Sequence, residues 1–230
     1  MSVIGRATRR FGRELKKFAR VRQIRREGLA YEPPNFVYRP NLSTESVVID
    51  GGCSYQADFS VFMIRRYGVR AFGVDPTRKH SAALRELEGQ HPGRFVHVPC
   101  AIAAADGMLT FTESRVNESG SLLQDHVNVI QDDTTSYEVK AVTLQSLLRC
   151  IGVDAVDLLK LDLEGAEYEL LGNVTSEQLR PFQQVFVEFH HHAVSRFQEA
   201  DSRRIVRRIS GFGFNAISVD DHNYLFYRGR

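Results

Sequence analysis

The sequence predicts an α/β fold: a mostly parallel sheet with helices on both faces, closed by one antiparallel strand. Three observations predict it. From residue 46 onward, apolar runs of strand length alternate with stretches of helical periodicity. Acids and glycines stand directly after several of those runs, where open α/β sheets bind their ligands. The chain then closes on two short strands around Asp220-Asp221-His222-Asn223, a hairpin that turns one strand against the others.

The elements follow in order. Ile4, Ala7, Phe11, Leu15, Phe18 and Val21 recur every three or four residues, so residues 1–30 read as a basic amphipathic helix. Pro33, Pro34 and Pro40 mark residues 31–45 as an extended linker. The domain proper runs over 46–230. Its strands are predicted at 47–50, 71–75, 95–98, 158–162 and 184–189, each a short apolar run. Helices are predicted at 56–67, 78–89, 144–150, 165–172 and 200–211, the last ended by Gly211. Residues 108–111 and 137–142 read as a strand pair around a polar loop, and 215–219 with 224–227 as the closing hairpin. No long repeat or low-complexity tract interrupts the pattern.

Composition narrows the class. The chain has 230 residues, 43% hydrophobic and 25% charged, enough for one large domain with its own core. No apolar run of about 18 residues is present, which excludes a transmembrane helix. The net charge of +2 conceals an asymmetry: residues 1–30 carry ten Lys/Arg against Glu14 and Glu27, while the remainder is acidic. Such a basic helix fits an anionic membrane surface or nucleic acid; it fits equally a helix packed on the domain with a solvated charged face, the reading favoured here. Its start has no apolar h-region of a secretory signal, although an arginine-rich, acid-poor start also resembles a mitochondrial transit peptide. Cys53, Cys100 and Cys150 match no zinc spacing, and three scattered thiols suit a reducing compartment such as the cytoplasm.

Four groups of residues carry chemistry. Asp50-Gly51-Gly52-Cys53-Ser54 follows the first strand; its glycines allow a sharp turn and close backbone approach, and its acid suits a cationic or hydroxyl-bearing ligand rather than a phosphate. A plain tight turn explains it as well. Asp75 ends the second strand, where an acid can accept both hydroxyls of a ribose or cap the turn before Pro76. Together they favour a nucleoside without phosphates. Lys160, inside the fourth strand, needs an acidic partner, and Asp162 and Glu164 flank that strand's end; Glu164 alternatively caps the next helix. Glu188 and His190 alternate with apolar residues and so share a face at the end of the fifth strand. His190 can serve as general base, or Asp162, Glu188 and His190 can hold a divalent ion through oxygen and nitrogen. His191 and His192 read as surface residues.

These segments together, VVIDGGCS, FGVDP, HVPCAIAAADGMLTF, VNESGSL, VTLQSLL, DLLKLDLEGAEYELL and VFVEFHH, resemble the FkbM family of S-adenosylmethionine-dependent methyltransferases over about residues 46–227. The most specific piece is Lys160 to Glu167. The resemblance implies a Rossmann-like class I methyltransferase fold, with a seven-stranded sheet whose last strand is antiparallel. It implies S-adenosylmethionine as cofactor, bound by Asp50, Gly51, Gly52, Ser54, Asp75, Pro76, Cys100, Ala101 and Asp162. In that carry-over Asp50 and Gly52 meet the methionine part, Asp75 the ribose and Cys100-Ala101 the adenine, while Asp162 stands between methyl donor and acceptor. The family pattern Asp-x-Gly-Ala-Asn-x-Gly is altered here, with Ser54 for the asparagine and Gln56 for the last glycine.

The resemblance implies methyl transfer to a hydroxyl of a sugar, a glycan or lipid-linked saccharide, or a related natural product. His190, or second to it Asp162, would take the proton, and the loop 117–126 would cover the acceptor. A basic helix at a membrane would suit a lipid-linked acceptor. Two other functions fit less of the sequence. An RNA methyltransferase would use the basic segment as an anchor, but stacking aromatics are not interleaved there and no Asn-Pro-Pro-aromatic motif follows the fourth strand. A non-catalytic cofactor-binding module would not need acids at several strand ends.

Overall fold

The computed structural model describes residues 16–229 except 118, 124–125 and 128–131. Residues 16–26 form helix α1, whose apolar positions divide: Ile24 is fully buried and Val21 packs beside it, whereas Phe18 is 69% exposed. Arg20 donates to Asp221 at 2.8 and 2.9 Å and to the Val219 carbonyl at 3.2 Å. The described part of the basic segment therefore packs on the domain; Ile4, Ala7, Phe11 and Leu15 lie outside the described residues.

The expected linker is replaced in part by a hairpin of β1 (Ala30–Glu32) and β2 (Phe36–Tyr38), paired Ala30 to Tyr38. Pro33 and Pro34 fall in its turn, and the apolar run Phe36-Val37-Tyr38 has a core to enter. Phe36 meets Phe186 edge-on at 4.9 Å, and Val37 and Tyr38 are buried. The Gln184 side chain then clasps the Arg39 backbone, accepting from its N–H at 2.6 Å and donating to its carbonyl at 3.2 Å.

The domain continues as β3 (Val47–Gly51), α2 (Asp58–Tyr67), β4 (Arg70–Val74), a 3₁₀ turn (Arg78–His80), α3 (Ser81–Gln90) and β5 (Phe95–Val98). A small sheet follows: β6 (Ala101–Ile102), β7 (Gly107–Ser114), β8 (Gly120–Ser121) and β9 (Thr134–Val142). Then come α4 (Leu144–Ile151), β10 (Leu158–Leu161), α5 (Glu167–Asn173), α6 (Ser176–Leu179), β11 (Gln184–Glu188), α7 (Glu199–Ser210), β12 (Phe214–Ser218) and β13 (Asn223–Arg228). Helix α4 shows why these segments stop where they do: Thr143 caps it by accepting from Ser146 N–H, and Gly152 ends it in the left-handed region.

The main sheet has seven strands in the order β12-β13-β11-β10-β3-β4-β5. β13 alone runs against its neighbours β11 and β12; the other pairings are parallel. Successive residues of one strand enter opposite layers. Ile49, Phe72, Leu159 and Val185 pack with α4, α5 and α7, while Val48, Ala71, Leu158 and Phe186 pack with α1, α2 and α3. β3 lies between β4, its successor along the chain, and β10, far beyond it. The strand order therefore reverses at β3, and a crevice opens beyond the carboxyl ends of β3 and β10. The expected sheet, its reversed strand and its two helical layers are all present. Among the described residues no helix is long and apolar enough to cross a membrane.

Candidate active site

A cavity of about 230 Å³ occupies that crevice. The turn after β3 forms one wall. Gly52 has φ +75°, and a Cβ there would stand 1.9 Å from the Asp162 carbonyl oxygen. A Cβ on Gly51 would stand 2.8 Å from Ile102 Cδ1. The two glycines are thus required by the packing of the turn against β10 and β6. Ser54 adopts φ 57°, a region asparagine enters more readily than serine, whereas Gln56 has no positive φ. The departure at 54 therefore carries a backbone cost and the one at 56 does not.

Asp75, at the end of β4, is 4% exposed and lines the cavity. Its Oδ1 accepts from Thr77 N–H at 2.8 Å and its Oδ2 from Ser54 N–H at 2.9 Å, with His80 Nδ1 at 3.3 Å. Burial alone would raise this carboxyl; the His80 contact and the Thr77 N–H outweigh it and hold the pKa below the usual value. Asp75 caps the following turn and still has lone pairs for a ligand.

Gly52, Ser54, Asp75, Pro76, Cys100, Ala101 and Asp162, all expected at a cofactor, line this one cavity. Asp50 and Gly51 do not. The Asp50 side chain is buried under the turn, accepting from Ser60 Oγ at 2.9 Å with Lys160 Nζ at 3.4 Å. Its position in β3 has the parity of Val48, so it points toward α2. The expectation that the Asp50 side chain meets the methionine part of the cofactor is corrected by that placement. Burial raises its pKa. Lys160 is held charged despite burial by Asp162 and Asp50 together, the acidic partnership its buried position demanded.

The second wall comes from the ends of β10 and β11. Asp162 Oδ2 lies 3.1 Å from Lys160 Nζ, and its Oδ1 lies 3.5 Å from His190 Nε2. Glu164, at φ 51°, turns its Oε2 to within 2.7 Å of His126 Nε2 and 3.5 Å of His190 Nε2. Asp162, Glu164 and His190 thus form one group. Glu188 is not part of it, which corrects the expected set of Asp162, Glu188 and His190. β11 ends at Glu188, so the alternation that would have put Glu188 and His190 side by side stops before His190. Burial, then Asp162, pushes the Glu188 carboxyl up to about 7.

His190 is 5% exposed, and its Nδ1 lies 3.0 Å from Oε1 of the fully buried Glu167. Burial disfavours its charge, but Glu167 and then Asp162 and Glu164 push its pKa up to about 10. Its Nδ1 is thus engaged by Glu167 while its Nε2 faces the Asp162 and Glu164 carboxylates. Glu164, Glu167 and His126 carry this wall; no role was expected of Glu167, and His126 was expected only as the end of the loop over the acceptor. The signal for Glu167 was an acid on the apolar face that carries Tyr168, Leu170 and Leu171; the contact of His126 with Glu164 had no signal in the sequence. Phe111, Gly120 and Leu122 of the small sheet complete the cavity beside Ile102. Of the loop expected over the acceptor, Ser119, Gly120 and Leu122 line the cavity, while 118 and 124–125 lie outside the described residues.

A parallel sheet with this strand order, its last strand reversed and its ligand cavity at the switch point, defines the class I methyltransferase type of Rossmann-like fold. A family model described as the methyltransferase FkbM domain matches residues 14–216. The chain belongs to the FkbM methyltransferase family, whose members draw their methyl group from S-adenosylmethionine. The solved structure of a methyltransferase FkbM from Methylobacillus flagellatus KT is 13% identical, with a TM-score of 0.52, over 81% of this chain and 44% of that one. The likeness is one of fold, and the chain spans less than half of that protein's length. Fibrillarin from Aeropyrum pernix, solved with natively bound S-adenosyl-L-methionine, is 11% identical over 82% of this chain and 67% of that one, with a TM-score of 0.46. Among curated proteins the search finds no match.

Proposed function

We propose that the chain transfers a methyl group from S-adenosylmethionine to a hydroxyl of a saccharide-type acceptor. One observation carries the reading: carboxylates from the ends of β4 and β10, Asp75, Asp162 and Glu164, face a single cavity that also has an apolar wall of Ile102, Phe111 and Leu122. Asp75 suits the ribose hydroxyls, and the apolar wall suits the base. A neutral oxygen acceptor must lose a proton as it attacks, unlike a thiolate, and carboxylates beside the cavity answer that need.

In the reaction the acceptor oxygen bonds to the methyl carbon as the carbon–sulfur bond breaks and the sulfur keeps the electron pair. The hydroxyl proton passes to a carboxylate at the end of β10, Asp162 or Glu164. Lys160 and His190 fix those carboxylates, so the enzyme's contribution is alignment of the two reacting centres and a fixed proton acceptor. The altered turn still serves, because Ser54 donates its backbone N–H to Asp75 rather than relying on its side chain.

The test begins with calorimetric titration of S-adenosylmethionine and S-adenosylhomocysteine into the wild type and Asp75→Ala. Micromolar binding lost in the variant is the expected result. Transfer of labelled methyl from the cofactor into saccharide, lipid-linked saccharide and RNA pools then tests the acceptor class. The expected product carries label in an alkali-stable ether of a saccharide. Label confined to RNA overturns the acceptor class, and failure of the wild type to bind either cofactor form overturns the reading as a whole.

A further inference from the structure

The group at the end of β10 and β11 has the form of a cation site. One ligating atom each from Asp162, Glu164 and His190 lies within 4.8 Å of the others. His190 Nε2 stands 3.5 Å from Asp162 Oδ1 and 3.5 Å from Glu164 Oε2. Donors bound to one ion at about 2.1 Å sit roughly 3.0–3.4 Å apart in octahedral or tetrahedral sites. The two distances from His190 Nε2 are only slightly wider than a bound ion requires, and the two carboxylate oxygens lie within 4.8 Å of each other.

Three further features separate this group from an ordinary acidic cluster. The His190 ring is almost wholly buried; among the described residues its Nε2 makes no hydrogen bond and is equidistant from the two carboxylate oxygens. Its Nδ1 is held by Glu167, whose Oε1 also accepts from His190 N–H at 2.9 Å and whose Oε2 accepts from Gly165 N–H at 2.9 Å. A carboxylate on the far nitrogen is the arrangement that orients a histidine to ligate through the near one. Finally, Lys160 holds Asp162 by Oδ2, so Oδ1 is the oxygen left toward His190. Asp162 and Glu164 line the cavity and His190 does not, so the open side of the group faces the space where substrates enter.

We propose that Asp162, Glu164 and His190 bind one divalent cation, with Glu167 as the positioning residue behind His190. Two carboxylates and one imidazole, with no thiolate, form a hard oxygen–nitrogen set suited to Mn²⁺ and similar ions. Under the O-methyltransferase reading, on which this role rests, Asp162 and Glu164 would act as ligands rather than as free bases, and the ion would hold the acceptor hydroxyl at the cavity wall and ease the loss of its proton to water. The site itself does not depend on that reading.

The probe is MnCl₂, titrated into the full chain after chelator treatment and followed by the paramagnetic resonance of free Mn²⁺, with pulsed detection of coupled nitrogen. The expected result is one ion per chain with the modulation of a bound histidine nitrogen. His190→Gln removes that modulation, Glu164→Gln weakens binding at least ten-fold, and Glu167→Gln weakens it by about 10–100-fold while the nitrogen signal persists. Glu164 is partly exposed, so its variant keeps the test open if His190→Gln fails to fold by circular dichroism. No binding at millimolar Mn²⁺, a nitrogen signal that survives His190→Gln, or unchanged affinity in Glu164→Gln overturns the proposal. S-adenosylhomocysteine binding is measured on the same samples. Cofactor bound without Mn²⁺ sinks the cation site alone, and Mn²⁺ bound without cofactor sinks the methyltransferase reading alone.

Discussion

At the scale of single residues, the cavity is held open by contacts that tolerate little change. Gly52 combines a positive φ with a Cβ position 1.9 Å from the Asp162 carbonyl, and that oxygen belongs to backbone that cannot swing aside. Gly152 has a similar φ, +68°, with nothing within 4 Å. Gly52→Ala is expected to cost about 3 kcal/mol or more, against about 1 kcal/mol for Gly152→Ala, in urea denaturation, and to abolish cofactor binding where Gly152→Ala does not. Asp75 adds a pH dependence. Its folded pKa lies below its ordinary value, so its contribution is present above about pH 4 and is lost as pH falls through the folded value. The stability gap between wild type and Asp75→Asn, read from thermal melts, should be about 1–3 kcal/mol near pH 6 and should close in acid. Such residues were legible because glycine and acid at a strand end have few other uses. Glu164 was not placed with His190, since its direction depends on a left-handed backbone turn, φ 51°, that no side-chain pattern announces. Glu188 was misassigned because strand parity holds only as far as the pleat, which ends at that residue.

At the scale of elements, periodicity fixed type and order well and partnership poorly. The alternation of 47–50, 71–75, 95–98, 158–162 and 184–189 with helices matches β3, β4, β5, β10 and β11 closely, because a strand buried on both faces must be apolar throughout. The hairpin β1–β2 escaped notice because three-residue strands with Pro33-Pro34 between them carry the signature of a linker. Only the main sheet, through Phe186 and Gln184, gives Phe36 and Arg39 their partners. The same holds for α1. Its stripe predicted an apolar face, but what covers that face is a core that reaches along the chain from Leu29 to Leu225, with Glu27 meeting Tyr227 at 2.7 Å. If α1 is part of the domain, Ile24→Ala should cost about 2–5 kcal/mol in urea denaturation, the price of a large buried aliphatic removed from a packed site. Phe18→Ala, at 69% exposure, should lie within about 0.5 kcal/mol of wild type. Equal effects of the two substitutions would show that α1 does not dock through Ile24.

At the scale of the whole molecule, the cavity is a product of topology rather than of any one segment. Gly52 follows β3, Asp75 follows β4, Cys100 lies between β5 and β6, Phe111 comes from the small sheet and Asp162 follows β10, so its walls span more than a hundred residues of chain. A ligand that fills it therefore ties together the ends of four neighbouring strands of the main sheet, and its binding energy must appear as stability of the entire fold. S-adenosylhomocysteine at a hundred times its dissociation constant should stabilise the folded chain by about 2.7 kcal/mol. For a domain of this size each kcal/mol raises the melting temperature by roughly 2–4 °C, so a rise of about 5–11 °C is expected in a thermal scan. The transition should remain single, since both helical layers pack on the one sheet that frames the cavity. Asp75→Ala should lose the ligand-dependent rise even where its own melt is lower, because it removes a wall of the cavity without removing a strand. A ligand that sharpened only part of a biphasic melt would instead mean that β3–β5 and β10–β13 unfold separately, and that the switch point between them is a boundary of cooperativity as well as of strand order.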